Sequence, residues 1–465
     1  MFDIRYLKCS ALYIPWKLIL LTIRMEKKPK RFNITTLGCK VNQAESDAVA
    51  QDLLSSDWSA ATDCDMAEVC IVNTCTVTQK ASMQSRQAIR KAIRTNPNAR
   101  IIVTGCYAQT APQEINRIDG VDYVVGHDKK LSISRLILTK GDKASGNQVS
   151  SFNHIRKKRP FQLMPLATSA PRTRPFLKIQ DGCDAFCTYC IVPYARGRSR
   201  SMPLDKVLQS IEQLARAGYH EAVLTGIHLG AYGHDLAPAT SLSDLMERIE
   251  DRKSITRVRV SSIEPFELSG EVIRRVAASD TFCKHFHIPL QSGDDGILKK
   301  MGRPYSRQDF YELIGSIHRQ LPDAAIGVDT LIGFPGESEA AFDNTYELIA
   351  DLPVSYLHVF PFSSRAGTAA DNLPNKLDPP VIKARCERIR KLGHQKRLKF
   401  YRRFTGKPLP VLIETKREGS TGMLKGISSN YLPVLIEGDD DLQNKIVDVK
   451  IEKLEGNKLF GVLCN

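Results

Sequence analysis

Three short apolar runs early in the chain end in the same way. Phe32–Leu37, Val69–Asn73 and Arg100–Thr104 are each followed by a cysteine two positions on, in Leu37-Gly38-Cys39, Asn73-Thr74-Cys75 and Thr104-Gly105-Cys106. Between them, Ala44–Ser55 and Ala81–Thr95 carry helical periodicity. Strand and helix alternating in this way predict an α/β domain with a parallel sheet. Such a sheet brings the carboxyl ends of its strands to one edge, where ligands bind. Cys39, Cys75 and Cys106, 36 and 31 residues apart, therefore project into one crevice. Gly38 and Gly105 allow the tight turn this approach needs. A single thiol there would read as core, because free cysteine is among the most buried residue types. The same offset three times favours a soft-metal or iron–sulfur site. Cys64 and Cys70 lack the offset and are expected to take no part.

The remaining composition narrows the class. At 465 residues the chain is too long for one ordinary core, so two or three domains are expected. Hydrophobic residues at 42% and charged residues at 25% exclude wholesale disorder and a membrane bundle. Twelve cysteines are too few and too clustered for a secreted disulfide scaffold. The one apolar stretch, Ala11–Ile23, is broken by Pro15 and Lys17 and falls short of the roughly 20 residues of a membrane helix. The text changes at Met25-Glu-Lys-Lys-Pro-Lys-Arg, so residues 1–24 are expected to be an upstream extension without a folded role. No membrane attachment and a cytoplasmic location are expected. The net charge of +15 favours a polyanionic partner, nucleic acid first.

A segment rich in Pro, Ser, Thr and Ala reads as a linker, taken over 146–171. It separates an N-terminal domain, 30–145, from a central one, 172–400. There Phe176–Gln180 reads as a strand whose loop carries Cys183-x3-Cys187-x2-Cys190. Three ligands without a fourth are informative: structural zinc closes with four and a 4Fe–4S cluster normally takes four thiolates, so one iron is left open. A catalytic zinc with three thiolates is the competing reading. Ala222–Thr225, Thr256–Ser261, His285–Pro289, Ala325–Ile332 and Tyr356–Phe360 continue the strands, with helices such as Leu204–Ala217, Arg307–Gln320 and Glu339–Ala350. Six strands suit a partial barrel with its site at the strands' carboxyl ends. Polar or glycine-rich strand tails make Thr225, Gly226, Ser261, Ser262 and Gln291 candidate cofactor contacts.

Cys183-x3-Cys187-x2-Cys190, with Tyr189 before the last thiol, resembles the cluster motif of the radical S-adenosylmethionine (SAM) superfamily. With the three upstream cysteines the chain resembles the methylthiotransferases of that superfamily, from about Arg31 to its C-terminus. Leu37-Gly38-Cys39-Lys40-Val41-Asn42-Gln43-Ala44-Glu45-Ser46, Thr104-Gly105-Cys106-Tyr107-Ala108-Gln109 and Lys178-Ile179-Gln180-Asp181-Gly182-Cys183 are similar to the subgroup that modifies threonylcarbamoyladenosine in tRNA. The other subgroups act on isopentenyl-adenosine or on an aspartate of a ribosomal protein. The resemblance implies two 4Fe–4S clusters. One, on Cys183, Cys187 and Cys190, would bind and cleave SAM, with Tyr189 among the cofactor contacts; the other, on Cys39, Cys75 and Cys106, would present the sulfur. It further implies methylthiolation of the adenosine at position 37 beside the anticodon, with the tRNA anticodon stem-loop, a flavodoxin- or ferredoxin-type electron donor and a sulfur donor as partners. A non-catalytic RNA-binding iron–sulfur protein is the alternative from another class.

From Phe404 the pattern becomes short strands divided by Gly, Asn and Asp, which predicts a small five-stranded barrel over 402–465. It resembles the TRAM domain, an RNA-binding barrel. Charge lies elsewhere: Val381–Arg403 has ten Lys/Arg and one acid, and Phe152–Lys178 has seven and none. Two such runs beside the central domain point to RNA backbone. From Lys80 to Arg100 there are six Lys/Arg and no acid, and Arg86, Arg90 and Arg94 form one helical stripe, making them candidate RNA contacts.

Overall fold

Strands β1 (Arg31–Thr36), β3 (Val69–Thr74) and β4 (Arg100–Gly105) lie side by side and parallel, with Thr36 opposite Asn73 and Asn73 opposite Thr104. The computed structural model describes residues 30–139, 148–149, 159–168 and 172–464. The expected extension 1–24, parts of the 146–171 linker and residues 152–158 of the second basic run lie outside the described residues. β3 is buried along its whole length, as an internal parallel strand must be. Two-residue strands complete the sheet: β2 (Ser59–Ala60) outside β1, then β5 (Tyr123–Val124) and β6 (Gln148–Val149) outside β4. β6 falls inside the stretch expected as linker. The described part of that stretch is packed, with Phe161 and Leu166 against the central core.

Helix α1 (Lys40–Leu54) starts directly after Cys39, four residues before the expected position. Its first turns carry Asn42, Glu45 and Ser46, polar yet buried, and these interrupt the apolar stripe by which a helix is read. Helix α2 (Gln79–Thr95) is capped by Thr78, whose hydroxyl accepts from Ala81 N–H at 3.0 Å.

The central domain has two parallel three-stranded sheets. β7 (Phe176–Lys178), β8 (Glu221–Thr225) and β9 (Arg257–Val260) form one; β10 (His285–Gln291), β11 (Ala325–Ile332) and β12 (Tyr356–Pro361) form the other. A bridge between Val258 and Phe282, and Ile263 N–H donating to His287 O at 3.1 Å, join them into one six-stranded arc. One face of each strand enters a common core with the flanking helices: Ala222, Leu224, Val258, Ile288 and Val328 meet Ile211, Leu245 and Ile314. Strand side chains alternate, so Glu221, Arg259, His285, His287, Asp329, Tyr356 and His358 fall on the opposite, inner face.

Helix α3 (Pro379–Arg402) carries the larger basic run, and much of its charge is spent inside the fold. Arg385 binds Glu337 and Glu339, Arg388 binds Glu339 and Asp343, and Lys396 donates to the carbonyls of Ala350 and Leu352. Phe400, Tyr401 and Phe404 are buried among Val411, Val434 and Leu459 of the C-terminal barrel, so they pack and are not free to stack on bases. That barrel is closed, with five strands, β13 (Pro408–Arg417), β14 (Leu424–Ser428), β15 (Pro433–Ile436), β16 (Ile446–Glu455) and β17 (Lys458–Leu463), in the order β13-β14-β15-β17-β16. It seals the amino end of the central arc. Arg259 donates to Ser429 O (3.0 Å) and Ser428 O (3.1 Å), and Tyr431 lies 4.4 Å from His285, ring to ring.

Candidate active site

The first triad is assembled by backbone register. Because β1, β3 and β4 end level, Cys39, Cys75 and Cys106 occupy the same edge. Both glycines are required there. Gly38 and Gly105 have φ of +95° and +97°; a Cβ on Gly38 would stand 2.8 Å from Cys75 Sγ, and one on Gly105 would stand 2.4 Å from Thr74 O. Asn42 ties two of the loops by donating to Leu37 O (2.8 Å) and Thr74 O (3.0 Å). Ser85 of α2 clamps the second of these again: its hydroxyl accepts from Cys75 N–H at 3.1 Å and donates to Cys75 O at 2.8 Å. Cys39 is exposed, whereas Cys75 and Cys106 are buried. Burial pushes the Cys106 thiol up to about 12, with Cys75 and Cys39 adding to the rise against Arg196 and Lys130. Cys75 is raised for the same chief reason. Cys64 and Cys70 pair with each other in a disulfide, their Cα atoms 5.8 Å apart, which keeps both out of the triad.

The second triad sits on a loop pinned at both ends. Cys183 N–H donates to Gly197 O (3.0 Å) and Thr188 N–H to Met301 O (3.0 Å). Gln180, fully buried, accepts from Ile227 N–H (2.9 Å) and His228 N–H (2.8 Å) and donates to Gly182 O (2.9 Å). It thereby fixes the loop to the turn after β8. His228 Nδ1 lies 3.5 Å from Cys183 Sγ, and Arg303, paired with Glu264, donates to Cys187 Sγ at 3.2 Å. Burial holds the Cys190 thiol at about 12, the neighbouring thiols adding to it. A cavity of about 620 Å³ opens beside this loop, lined by Cys187, Arg198, His228, Phe266 and Arg303. That volume suits a cofactor-sized ligand.

Among the described residues, the one group of three His, Cys, Asp or Glu ligand atoms within 4.8 Å of one another is His287, Asp329 and His358. Neither thiol triad is drawn that tight. Zinc at about 2.3 Å from each sulfur would hold the sulfurs roughly 3.8 Å apart, so both triads fit a polynuclear cluster better than a single ion. The donor set agrees, being thiolate only and three to a site.

Two cations, Arg196 and Lys178, join the loops of the two triads. Arg196, fully buried, donates to Asp181 Oδ1 (2.8 Å), two residues before Cys183, and to Asn42 Oδ1 (2.5 Å) and Glu45 Oε1 (2.9 Å) on the helix that begins after Cys39. Lys130 and Lys178 also pair with Glu45, and Lys178 and Arg200 with Asp181. These cations outweigh the burial cost and hold both carboxyls well below the ordinary carboxylate range.

The candidate cofactor contacts lie at the carboxyl ends of the strands but are not equivalent. Thr225 is buried, and Gly226 abuts Gln180 Oε1, which a Cβ there would approach to 2.9 Å. Ser261 is buried with its hydroxyl unpaired, Ser262 Oγ lies 3.0 Å from His287 Nδ1, and Gln291 ends β10 at φ +66°. Tyr189 packs into an apolar cluster with Met301 and Phe334. Of the basic stripe, Arg90 and Arg94 are exposed, whereas Arg86 donates to Tyr107 Oη at 2.9 Å and is half-buried. Sequence reading missed Gln180, Arg196, His228, Arg303 and the inner-face group His285, His287, Asp329 and His358. The last had a signal: charged and imidazole side chains at alternate positions of otherwise apolar buried strands.

Two family models match the chain: the Uncharacterized protein family UPF0004 over residues 31–126, and the Radical SAM superfamily over residues 177–349. The threonylcarbamoyladenosine tRNA methylthiotransferase of Bacillus subtilis is 40% identical over 424 residues, 90% of this chain and 93% of that protein. Its counterpart in Aquifex aeolicus is 35% identical, over 90% and 98%. The tRNA-2-methylthio-N(6)-dimethylallyladenosine synthase of Clostridium tetani is 31% identical, over 95% and 98%. Among solved structures, the radical S-adenosylmethionine methyltransferase TsrM of Kitasatospora setae shares the fold with a TM-score of 0.54 at 16% identity, covering 74% of this chain and 77% of that one.

Proposed function

The chain belongs to the radical SAM methylthiotransferase family, in its threonylcarbamoyladenosine tRNA group, and on that premise we propose that it converts N6-threonylcarbamoyladenosine at position 37 of tRNA, beside the anticodon, to the 2-methylthio derivative. The observation that carries this reading is Arg196, one buried guanidinium that binds the loops of both thiol triads. Two separate cluster sites in two domains are thereby held as one unit, as sulfur insertion between them requires.

Cys183, Cys187 and Cys190 would hold one 4Fe–4S cluster, and Cys39, Cys75 and Cys106 a second. Bound there, the first would supply the electron for reductive cleavage of SAM, and the second would supply the sulfur. The chain's own residues set the conditions. Gln180 fixes the height of the Cys183 loop over the strand ends, Arg303 donates to the Cys187 sulfur, and the buried faces exclude water from a reactive intermediate. The unpaired hydroxyl of Ser261 is free to meet a cofactor at the same rim. The anticodon loop suits such a site because its bases splay out of the stack. The C-terminal barrel, of TRAM type in this reading, and the exposed Arg90 and Arg94 would hold the RNA. An electron donor of flavodoxin or ferredoxin type and a sulfur donor complete the cycle in the cytoplasm.

Mass spectrometry of tRNA nucleosides from a strain lacking the gene tests the assignment. The 2-methylthio-threonylcarbamoyl nucleoside should vanish and its unthiolated precursor accumulate. A change confined to the isopentenyl nucleosides would overturn it.

A further inference from the structure

Three polar side chains on the inner face of the arc converge on one point, and the chemistry described above uses none of them. Asp329 of β11 stands directly opposite His358 of β12, and on its other side opposite Pro289 of β10, two residues beyond His287. The register therefore puts all three side chains on the same face. His287 Nε2 lies 2.7 Å and His358 Nδ1 3.1 Å from a single oxygen, Asp329 Oδ1, and the three atoms fall within 4.8 Å of one another. The two imidazole rings stand 5.0 Å apart and nearly perpendicular, at 80°. The second nitrogen of His287, Nδ1, is 3.0 Å from Ser262 Oγ, which fixes the ring.

Charge compensation sets this cluster apart. Buried carboxylates elsewhere in the central domain have Arg or Lys partners: Glu221 with Arg259, Asp181 with Arg196 and Arg200, Glu337 with Arg385. Asp329 is mostly buried, and among the described residues its ion-pair partners are the two imidazoles alone. Buried charges are paired or coordinate a metal. His358 is half-exposed, so the cluster is open on one side.

We propose that His287 Nε2, Asp329 and His358 Nδ1 hold a divalent first-row transition-metal ion, at a site that uses no residue of either thiol triad. Two imidazole nitrogens and one carboxylate oxygen are the donor set of three-ligand sites that leave further positions open. Ligands about 2.1 Å from one ion and at right angles stand about 3.0 Å apart, a spacing that the two nitrogen–oxygen distances bracket. With Nε2 given to the metal, His287 carries its proton on Nδ1 and donates it to Ser262 Oγ, the outer contact that orients a ligating imidazole. The positions these three residues do not fill are left for water or for an anionic oxygen ligand from the interior of the arc. Nitrogen and oxygen donors here, against thiolate alone in the triads, let the two kinds of site select different metals.

The test uses the reconstituted full-length holoenzyme with its clusters oxidised and EPR-silent, which keeps the thiols occupied. Mn2+ is the probe, because thiolate does not favour it and its hyperfine-split EPR signal is lost on binding. Titration should show one equivalent bound per chain, and spin-echo modulation should show imidazole nitrogen on the bound ion. Asp329→Asn and His358→Ala should each weaken binding by more than about 100-fold, and Ser262→Ala, which removes only the outer contact, by roughly 10- to 100-fold. Unchanged cluster absorbance in each variant reports an intact central domain. A free-ion signal that persists with wild-type protein in excess, bound Mn2+ without nitrogen modulation, or wild-type affinity kept by both ligand variants would overturn the proposal and leave a hydrogen-bonded His–Asp–His network in its place. The wild-type titration and its modulation need no substitution, so a variant that fails to fold does not remove the test. Loss of this site leaves the tRNA assignment standing, since nucleoside analysis tests that separately.

Discussion

The two triads differ from the other cysteines in what surrounds each sulfur. Cys75 and Cys106 are buried, and burial raises both thiols, with Cys39 adding to the rise at each and Cys75 adding to it at Cys106. A site that gathers three mutually repelling thiolates favours a cation. Replacing Cys39, Cys75 and Cys106 together by Ala should halve the bound iron and abolish the methylthio product, while SAM is still cleaved to 5′-deoxyadenosine, because the second triad rests on a different domain. Iron analysis with product chromatography checks this; full iron with retained product would sink the two-cluster assignment. Cys64 and Cys70, bonded to each other and remote from that edge by register, are outside the expectation. The residue scale also shows a limit of motif reading: Asn42 and Glu45 appear in the string that carries the family likeness, but their work, tying loops and receiving Arg196, is visible only with partners from 32 and 151 positions away.

Among the elements, α2 is the one on which the proposed RNA contact can be tested. Ile89 is buried and Ile93 packs against the sheet domain, so the opposite face carries the charge. Arg86 is held by Tyr107, which itself donates to Glu114 at 2.5 Å, and this leaves Arg90 and Arg94 as the free pair. Replacing Arg90 and Arg94 by Gln should weaken tRNA binding and flatten its salt dependence by about 1.5–2 units, whereas adding Arg86→Gln should change the slope little further. Filter binding across a salt series reads both slopes. An unchanged slope in the double variant would show the stripe to be a solvated face. The basic helix α3 illustrates the converse: its charges looked equivalent along the sequence, but Arg385, Arg388 and Lys396 are occupied by the central domain, and only part of the run remains for a polyanion.

On the scale of the whole molecule, the N-terminal domain is fastened to the central one by a buried ionic network, Glu45 and Asp181 facing Lys130, Lys178, Arg196 and Arg200. Breaking such a network from one side leaves uncompensated charge, which costs about 3–5 kcal/mol. Glu45→Gln should therefore uncouple the two domains, seen as a lower Tm and new proteolytic sites between them. The sign of the pH dependence follows from the depressed carboxyls. Their stabilisation is complete above the ordinary carboxylate range, about 4, and is lost as pH falls toward the lower folded-state values. Wild-type docking should thus hold at pH 5 and weaken progressively in stronger acid, with a shallower decline in Glu45→Gln. A decline of the same steepness in the variant would place the acid sensitivity elsewhere. At this scale, too, the C-terminal barrel has a second task beyond any RNA contact, since Arg259 and Tyr431 make it the floor of the central arc.

The chain's local chemistry determined a good deal. Periodicity placed β11 at Ala325–Ile332 and the helix at Arg307–Gln320 to the residue, because these segments keep one apolar face in water's absence and show it in every turn. The strand-end offset likewise placed Cys39, Cys75 and Cys106 at one edge, since a parallel sheet levels its strand ends whatever else the fold does. Early α1 was hidden for the opposite reason: its buried residues are polar, and their cost is met by groups far along the chain. Which arginines of a basic run are free and which carboxylates are locked were decided only by docking. Charges interact through space at ranges set by the packing of whole domains, and nothing in the spacing of one segment records what another segment brings beside it.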